Sequence, residues 1–294
     1  MNFRDQAFTH RQYMVNKNFE FFHNKDDSHL EVEYHNHDFY EIYFFLSGKV
    51  TYIIEGKTYT LKPWDILLIN NKELHKPVIE QGSVYERIVI WVNPDFIRKS
   101  CTTGSDLFMC FESTSKNKYN LLRPGAEMLN VIKSIVTKLN RVLFSKGFGS
   151  DILTEIYLTE LIVIINKAYI DTDLVDIEED ISSNPKINEI IHFINQNLSG
   201  DLSLESLSQR FFTSKYHLLR EFKKHTGYTL HNYISKKRLL TAKALLKGGM
   251  SINEVCSTCG FNNYSNFIRS FTNAYKISPK KYATETKGVA NQVP

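Results

Sequence analysis

Residues 203–224 read SLESLSQRFFTSKYHLLREFKK, and residues 251–273 read SINEVCSTCGFNNYSNFIRSFTN. The second stretch repeats the first. Ser203–Ser208 matches Ser251–Cys256 at an offset of 48: a polar residue precedes an apolar one, a second apolar residue follows three on (Leu207, Val255), and a small residue comes next. After a turn the offset becomes 49, and Leu218, Leu219, Arg220 and Phe222 fall on Phe267, Ile268, Arg269 and Phe271. The extra residue lies in the second turn, around Gly260, where glycine suits a positive φ. Self-similarity at a nearly fixed offset marks a duplicated supersecondary unit. Each copy predicts a short helix, a tight turn and a second helix, with Ser214 and Asn263 as N-caps. In those second helices the i, i+4 pairs Leu218/Phe222 and Phe267/Phe271 face inward. Lys215, Tyr216, Leu219, Arg220 and Lys223 are then left near the outer face of the first, and Tyr264, Ser265, Ile268 and Arg269 near that of the second. A short helix with an exposed arginine and polar groups near its N-terminus is what reading a DNA major groove requires.

The charge distribution agrees with this assignment. Residues 1–180 carry 20 Lys+Arg against 26 Asp+Glu, a net of −6, whereas residues 181–294 carry 16 against 6, a net of +10. A basic module joined to an acidic one indicates that one half meets a polyanion. Between the two copies, His231–Leu246 (HNYISKKRLLTAKALL) predicts a longer basic helix.

From about Pro185 to Ala283 the chain resembles the DNA-binding domain of AraC/XylS-type regulators. The resemblance rests on Leu202-Ser-Leu-Glu205 leading into Leu207, Ser214-Lys-Tyr-His-Leu-Leu-Arg-Glu-Phe-Lys-Lys224 with Gly227, and Lys237-Arg-Leu-Leu240. It continues through Cys259-Gly-Phe-Asn262, Phe267-Ile-Arg-Ser-Phe271 and Ile277-Ser-Pro-Lys-Lys-Tyr282. Cys256, Thr272 and Lys276 depart from the family pattern, where Ala, Lys and Gly are usual. The resemblance implies two recognition helices entering successive major-groove segments about one helical turn apart. It makes Tyr216, Leu219 and Arg220, and in the second copy Ser265, Ile268 and Arg269, the base-facing candidates. Lys223, Lys224, Lys236 and Lys237 are expected to position phosphates.

Residues 20–95 follow a different rhythm. Short β-prone runs (Phe19–Phe22, Glu31–Tyr34, Tyr40–Leu46, Val50–Ile54, Thr58–Leu61, Ile66–Ile69, Tyr85–Val92) are separated by Ser47-Gly48, Glu55-Gly56 and Lys62-Pro63, which predicts an antiparallel sandwich or barrel. Two helices follow. Leu129, Ile132, Val136, Leu139 and Leu143 place an apolar stripe on the first, over Ala126–Phe144. The second, over Ile152–Tyr169, is apolar almost all round at Leu161–Ile165. These helices are expected to make a homodimer contact. The acidic run Asp171–Asp180 and Ser182-Ser-Asn-Pro185 suit a linker. The expected architecture is a two-domain α+β protein: a cupin-like β-barrel with dimerisation helices over 1–175, a linker over 176–185, and an all-α double helix-turn-helix domain over 186–285.

His35-Asn-His37, Glu41, Gly48 and His75 have a spacing that resembles the first motif of cupin barrels, whereas Pro63-Trp-Asp65 departs from the second. On one strand His35 and His37 share a face, and Glu41 is an even number of residues further on. The resemblance implies that His35, His37, Glu41 and His75 line an effector pocket, with Tyr43, Phe45 and Trp91 as wall. The same four residues are candidate ligands for a divalent metal such as Zn, Ni or Fe. A ligand's hydroxyls and water are the preferred partners, so no cofactor is expected. Cys256 and Cys259 form a C-x-x-C, but their spacing puts both on the inner face of a helix, which predicts core packing and no metal or redox role.

The resulting expectation is a ligand-responsive transcription factor that is not an enzyme. Its partners would be double-stranded DNA and a small effector, sugars being the common class, with RNA polymerase a further candidate. A cupin enzyme with a helical appendage leaves the duplication and the basic half without a role. No apolar run is long enough to span a bilayer, no signal-peptide core is visible, and the four cysteines suit a reducing compartment, so a cytoplasmic protein is expected.

Overall fold

The computed structural model describes residues 11, 13–26, 32–80, 82–112, 119–145, 147–171 and 175–290. The chain divides into two compact units, Met1–Ser182 and Ser183–Pro294.

The first unit is built on two antiparallel sheets. Five strands pair in the order β1 (Phe19–Asp26), β7 (Tyr85–Val92), β2 (Tyr40–Ser47), β5 (Ile66–Ile69) and β8 (Leu121–Leu122); four pair in the order β6 (His75–Ile79), β3 (Val50–Ile54), β4 (Lys57–Thr60) and β9 (Ile181–Ser182). Glu55 and Gly56, both at positive φ, make the tight β3–β4 hairpin turn. The two-residue period sorts the side chains. Ile42, Phe44, Ile66, Leu68, Ile88 and Ile90 enter one core cluster, and Tyr43, Phe45, Tyr52, Ile54, Leu67 and Tyr85 enter another.

The expected barrel is therefore corrected to two sheets that no strand pairing closes among the described residues. Strands β2 and β3, and again β4 and β5, are consecutive in sequence but belong to different sheets. Alternation along a strand defines its two faces, not whether the sheet closes on itself. Strand β6 carries Pro77, which lacks an N–H; it lies at a sheet edge, where a proline is tolerated. The run expected at Glu31–Tyr34 forms no strand over residues 32–34, and Glu31 lies outside the described residues.

Helices α1 (Pro94–Ser100), α2 (Met109–Glu112), α3 (Ala126–Leu143) and α4 (Ser150–Asp171) complete the first cluster. Ile132, Val136, Leu139, Leu161 and Ile165 all stand at 0% exposure within it. Each such side chain contributes roughly 1.5–3 kcal/mol by leaving water. The stripe expected to hold a dimer together is thus spent inside the subunit. A helical stripe looks the same in sequence whether it faces its own sheet or another chain.

The segment expected as a linker is partly structured. Helix α5 (Val175–Glu178) leads to β9, whose Ile181 and Ser182 pair with Tyr59 and Thr58 of β4. Arg123 locks this end: it donates to both oxygens of the buried Asp65 (2.8 and 2.7 Å) and to Asp180 (2.7 Å), which also receives Lys62.

The second unit is helical, with α6 (Pro185–Gln196), α7 (Leu204–Arg210), α8 (Lys215–Thr226), α9 (Leu230–Lys247), α10 (Ile252–Thr258), α11 (Tyr264–Tyr275) and α12 (Pro279–Ala290). Ser203, Ser214, Thr229, Ser251 and Asn263 cap five of these helices with a side-chain oxygen, and Ser251 with Glu254 forms a capping box.

Candidate DNA-reading helices and a buried histidine–carboxylate cluster

The duplication survives in detail. In the first turn Phe211 N–H donates to Leu207 O and Thr213 N–H to Ser208 O; in the second, Cys259 donates to Val255 and Phe261 to Cys256. Phe212 (φ 48°) and Gly260 (φ 73°), 48 residues apart, occupy the same left-handed position. The longer helices also end alike: Gly227 and Lys276 are both left-handed C-caps, bonding back to Lys223 and Thr272. Where the family favours glycine, Lys276 accepts a strained backbone.

Leu218, Phe222, Phe267 and Phe271 are buried, so opposite faces of α8 and α11 are turned to solvent. On α8, Lys215, Tyr216, Leu219, Arg220, Lys223 and Lys224 are exposed. Lys215 meets Glu205, and Arg220 reaches only Glu221 (3.1 Å) and the Tyr216 ring. On α11, Tyr264, Ser265 and Arg269 are exposed, whereas Ile268 is half-buried against the second unit's own core of Leu239, Leu246, Val255, Phe267 and Phe271. Arg269 donates to Asn266 one turn back (2.9 Å). Two of the lysines expected on phosphates are placed otherwise. Lys237 is buried, its ammonium 5.5 Å from the Tyr233 ring centre, and Lys236 reaches the Tyr228 hydroxyl at 3.0 Å. Both sit on the packed side of α9, which charge counting cannot distinguish from the wet side. Cys256 and Cys259 are buried in the core of the second unit, and burial pushes the Cys259 thiol up to about 11.

In the first unit His37, Glu41 and His75 converge, each offering one ligand atom within 4.8 Å of the others. The route differs from the expected one. Residues 35–39 are not a strand; β2 begins at Tyr40, and His35 forms an isolated bridge, its N–H donating to His75 O (3.1 Å) and its carbonyl accepting from His75 N–H (3.0 Å). The His37 ring stacks on Phe39 at 3.9 Å, and Phe39 stacks on Trp91 at 4.4 Å. His35 stands half-buried, its ring 4.3 Å from that of His75.

The protonation pattern follows from the partners. His37 Nδ1 lies 2.8 Å from Phe39 O, and His75 Nδ1 lies 2.9 Å from Glu73 O. A carbonyl only accepts, so both Nδ1 atoms carry a proton, and Nε2 of each ring is the atom turned to the cluster. Burial, reinforced by the His35 and His37 rings, pushes the His75 imidazolium well below its ordinary range, so that ring is neutral. Burial opposes ionisation of Glu41, but the neighbouring His37 outweighs it and holds the carboxyl down to about 2. Two donors orient the carboxylate: Trp91 Nε1 to Oε2 at 3.1 Å and the Tyr52 hydroxyl to Oε1 at 3.5 Å. Sequence reasoning placed Trp91 in the wall but missed Tyr52; the β3 alternation, with Val50, Tyr52 and Ile54 buried, carried that signal.

A family model described as an AraC-like ligand binding domain matches residues 16–162, and one described as a helix-turn-helix domain matches residues 207–285. The chain belongs to the AraC family. It is a transcription factor that joins a ligand-binding domain to a helix-turn-helix DNA-binding domain. Among its relatives is the HTH-type transcriptional activator RhaS of Escherichia fergusonii, 23% identical over 256 residues, covering 84% of this chain and 86% of that protein. RhaS of Salmonella typhimurium is 23% identical over 258 residues, covering 84% and 85%. Among solved structures, ToxT from Vibrio cholerae aligns over 93% of this chain and 100% of that one, at 16% identity and a TM-score of 0.36. The C-terminal domain of the response regulator yesN from Fusobacterium nucleatum aligns over 32% of this chain and 94% of that one, at 30% identity and a TM-score of 0.32. No helix among the described residues of this AraC-family chain is long and apolar enough to cross a membrane.

Proposed function

We propose that this AraC-family chain is a ligand-responsive regulator that reads two major-groove segments with α8 and α11 and receives its effector at the Glu41 cluster. The observation that carries the DNA reading is the duplicated pair of exposed helix faces. Arg220 and Arg269 sit at equivalent positions of the two copies, Arg220 against Glu221 and the Tyr216 ring and Arg269 against Asn266, all within their own helices. An arginine so presented reads guanine through a bidentate contact, and Leu219 offers an apolar contact for a thymine methyl. Lys215, Tyr216, Lys223, Lys224, Tyr264 and Ser265 flank them, with Ile268 contributing only its exposed edge.

The effector reading is supported by three buried polar groups on one centre, lined by Trp91 and Tyr52. RhaS, by its name an activator, supports regulation of transcription in this chain too. The route from the pocket toward the second unit is one sheet. His75 pairs with Ile54, β3 pairs with β4, and β4 pairs with β9, the last element before Ser183. Self-association is assigned to a different surface from the expected stripe: Phe148, Ile152 and Ile156, which are exposed on α4 and the turn before it.

The test is anisotropy of labelled promoter DNA with the full chain, titrated with a library of sugars and other metabolites. Glu41→Gln is expected to abolish the effector response and to leave effector-free DNA binding intact. A Glu41→Gln chain that responds like the unaltered one removes the pocket from the mechanism. Sedimentation of an Ile152→Glu, Ile156→Glu variant tests the surface: an unchanged dimer places the contact elsewhere.

A further inference from the structure

We propose that His37, Glu41 and His75 bind a first-row divalent metal ion, held by His37 Nε2, His75 Nε2 and the Glu41 carboxylate, with a coordination position left for an exchangeable ligand. The inference deepens the effector reading and takes its location from it.

The first observation is that three buried ligand-capable atoms, two imidazole nitrogens and a carboxylate oxygen, meet at one centre. His75 Nε2 is buried with no hydrogen-bond partner, and the buried His37 Nε2 has only the nearby Glu41 carboxylate, in poor hydrogen-bond geometry. Each ring has a proton fixed on Nδ1 by a backbone carbonyl, so Nε2 of each ring is the atom free to coordinate at the common centre. The Glu41 carboxylate adds a negative charge at that centre, with His37 Nε2 3.3 Å from its Oε2. A group that satisfies all three must be a cation or must bring several donors at once.

The second observation is size. Zinc–nitrogen and zinc–oxygen bonds of about 2.0–2.2 Å put neighbouring ligand atoms about 3.3–3.6 Å apart in a tetrahedral shell. The three ligand atoms here lie within 4.8 Å of one another, a spacing that a single ion closes with small side-chain movements. A sugar ring cannot enter between them and can bind only beside them.

The third observation is the surrounding shell. Metal-bound imidazoles commonly donate their other ring N–H to a carbonyl or carboxylate, and bound carboxylates are themselves hydrogen-bonded. His37 and His75 do the first, and Glu41, through Trp91 and Tyr52, does the second. Two imidazoles and one carboxylate suit zinc, nickel, cobalt or ferrous iron better than magnesium or calcium, which prefer all-oxygen shells. Three protein ligands leave at least one position for water or an oxygen of the effector.

The experiment uses the full chain, stripped with chelator and titrated with Co(II) as probe, followed by Zn(II) competition and elemental analysis. The expected result is a visible d–d absorption that saturates at one Co(II) per chain and is displaced by Zn(II). His75→Ala and Glu41→Gln should each weaken binding more than 100-fold. Trp91→Phe, which removes the N–H that orients Glu41 together with part of the ring stacked on Phe39, should weaken it about 10–100-fold. A folded, unaltered chain that binds no Co(II) and carries no stoichiometric metal when purified overturns the proposal. So does Co(II) binding that persists in His75→Ala and Glu41→Gln. Effector-dependent DNA binding is scored separately on the same samples. An effector response without metal defeats the metal alone, whereas loss of both defeats the pocket as well.

Discussion

Phe212 and Gly260 stand at the same place in two copies of one motif, and the structure predicts opposite responses when each is replaced. Gly260 is at φ 73°, and a Cβ there would lie 2.3 Å from Leu198 O, 2.9 Å from Arg238 Nη2 and 3.0 Å from Ser199 Cα. Two of those atoms are backbone and cannot rotate away. The same Arg238 donates to Leu198 O (2.9 Å) and Gly200 O (3.0 Å), so relieving the clash disturbs charged hydrogen bonds as well. For Gly260→Ala the left-handed conformation costs about 1–2 kcal/mol. Losing one charge-assisted bond costs about 1.5–3 kcal/mol more. The lower entropy of the unfolded alanine chain returns about 0.4–1 kcal/mol. The net loss is about 3 kcal/mol, equivalent to a fall in midpoint of roughly 10–20 °C for a helical unit of this size. Phe212 is at φ 48° with its side chain 93% exposed, so Phe212→Gly relieves strain and gives up little packing. Set against the chain entropy of glycine, the net is about 0.5 kcal/mol of stabilisation. The assay is urea unfolding of the full chain followed by far-ultraviolet circular dichroism for the helices. Trp64 and Trp91, the two tryptophans of the chain, both lie in the first unit, and their fluorescence tracks that unit separately. A Gly260→Ala cost below about 1 kcal/mol would refute the close seating of the second turn on residues 198–200.

Three further outcomes are expected. Arg220→Ala and Arg269→Ala should each cost about 1–3 kcal/mol at the specific site and relax base preference at different positions, measured by anisotropy against randomised competitors; equal loss on specific and random DNA would make them phosphate contacts. The affinity should fall with salt by about 0.9 log units per log unit for each phosphate neutralised, and Lys224→Ala should flatten that slope by about one without changing sequence preference. Lys276→Gly should raise the stability of the second unit by about 0.5–1 kcal/mol in the same urea assay, since it restores glycine at a left-handed C-cap; an unchanged or lower stability would mean that the lysine side chain offsets the strain.

The helical half was legible because its signals are local. Caps at Ser214 and Asn263, the inward pairs Leu218/Phe222 and Phe267/Phe271, and the turn glycine each depend on a few neighbouring residues, and duplication displays every signal twice. Signals that depend on distant partners were not legible. The stripe on α3 read correctly as amphipathic, but its partner, the five-stranded sheet, is chosen by tertiary packing. Strand β6 was hidden by Pro77, and β9 has only two residues, too few for alternation to register. Lys237 counts as a cation in any tally of charge, yet it lies on the packed side of α9. The site was half legible: His37, Glu41 and His75 do converge, although the strand invoked to bring His35, His37 and Glu41 together does not exist.

The polar groups inside the first unit separate structure from function. Asp65 is buried, and both its oxygens are taken by Arg123. The Tyr43 and Tyr85 hydroxyls bond each other at 2.7 Å, and Asn120 bonds Leu68 O and Glu73. Each of these is an internal pairing that a folded chain can complete alone, and buried polar groups persist in proteins on that condition. The Glu41 cluster does not meet it. Its carboxylate accepts from Trp91 and Tyr52, but His75 Nε2 has no hydrogen-bond partner and His37 Nε2 has only the carboxylate at 3.3 Å. An isolated buried acceptor without a partner costs about 1–3 kcal/mol, and leucine or phenylalanine at those positions would avoid the cost. A fold that needed only stability would have no use for His37 and His75 there. Their placement on one centre, with each Nδ1 held by a backbone carbonyl, is the observation on which the proposed site rests.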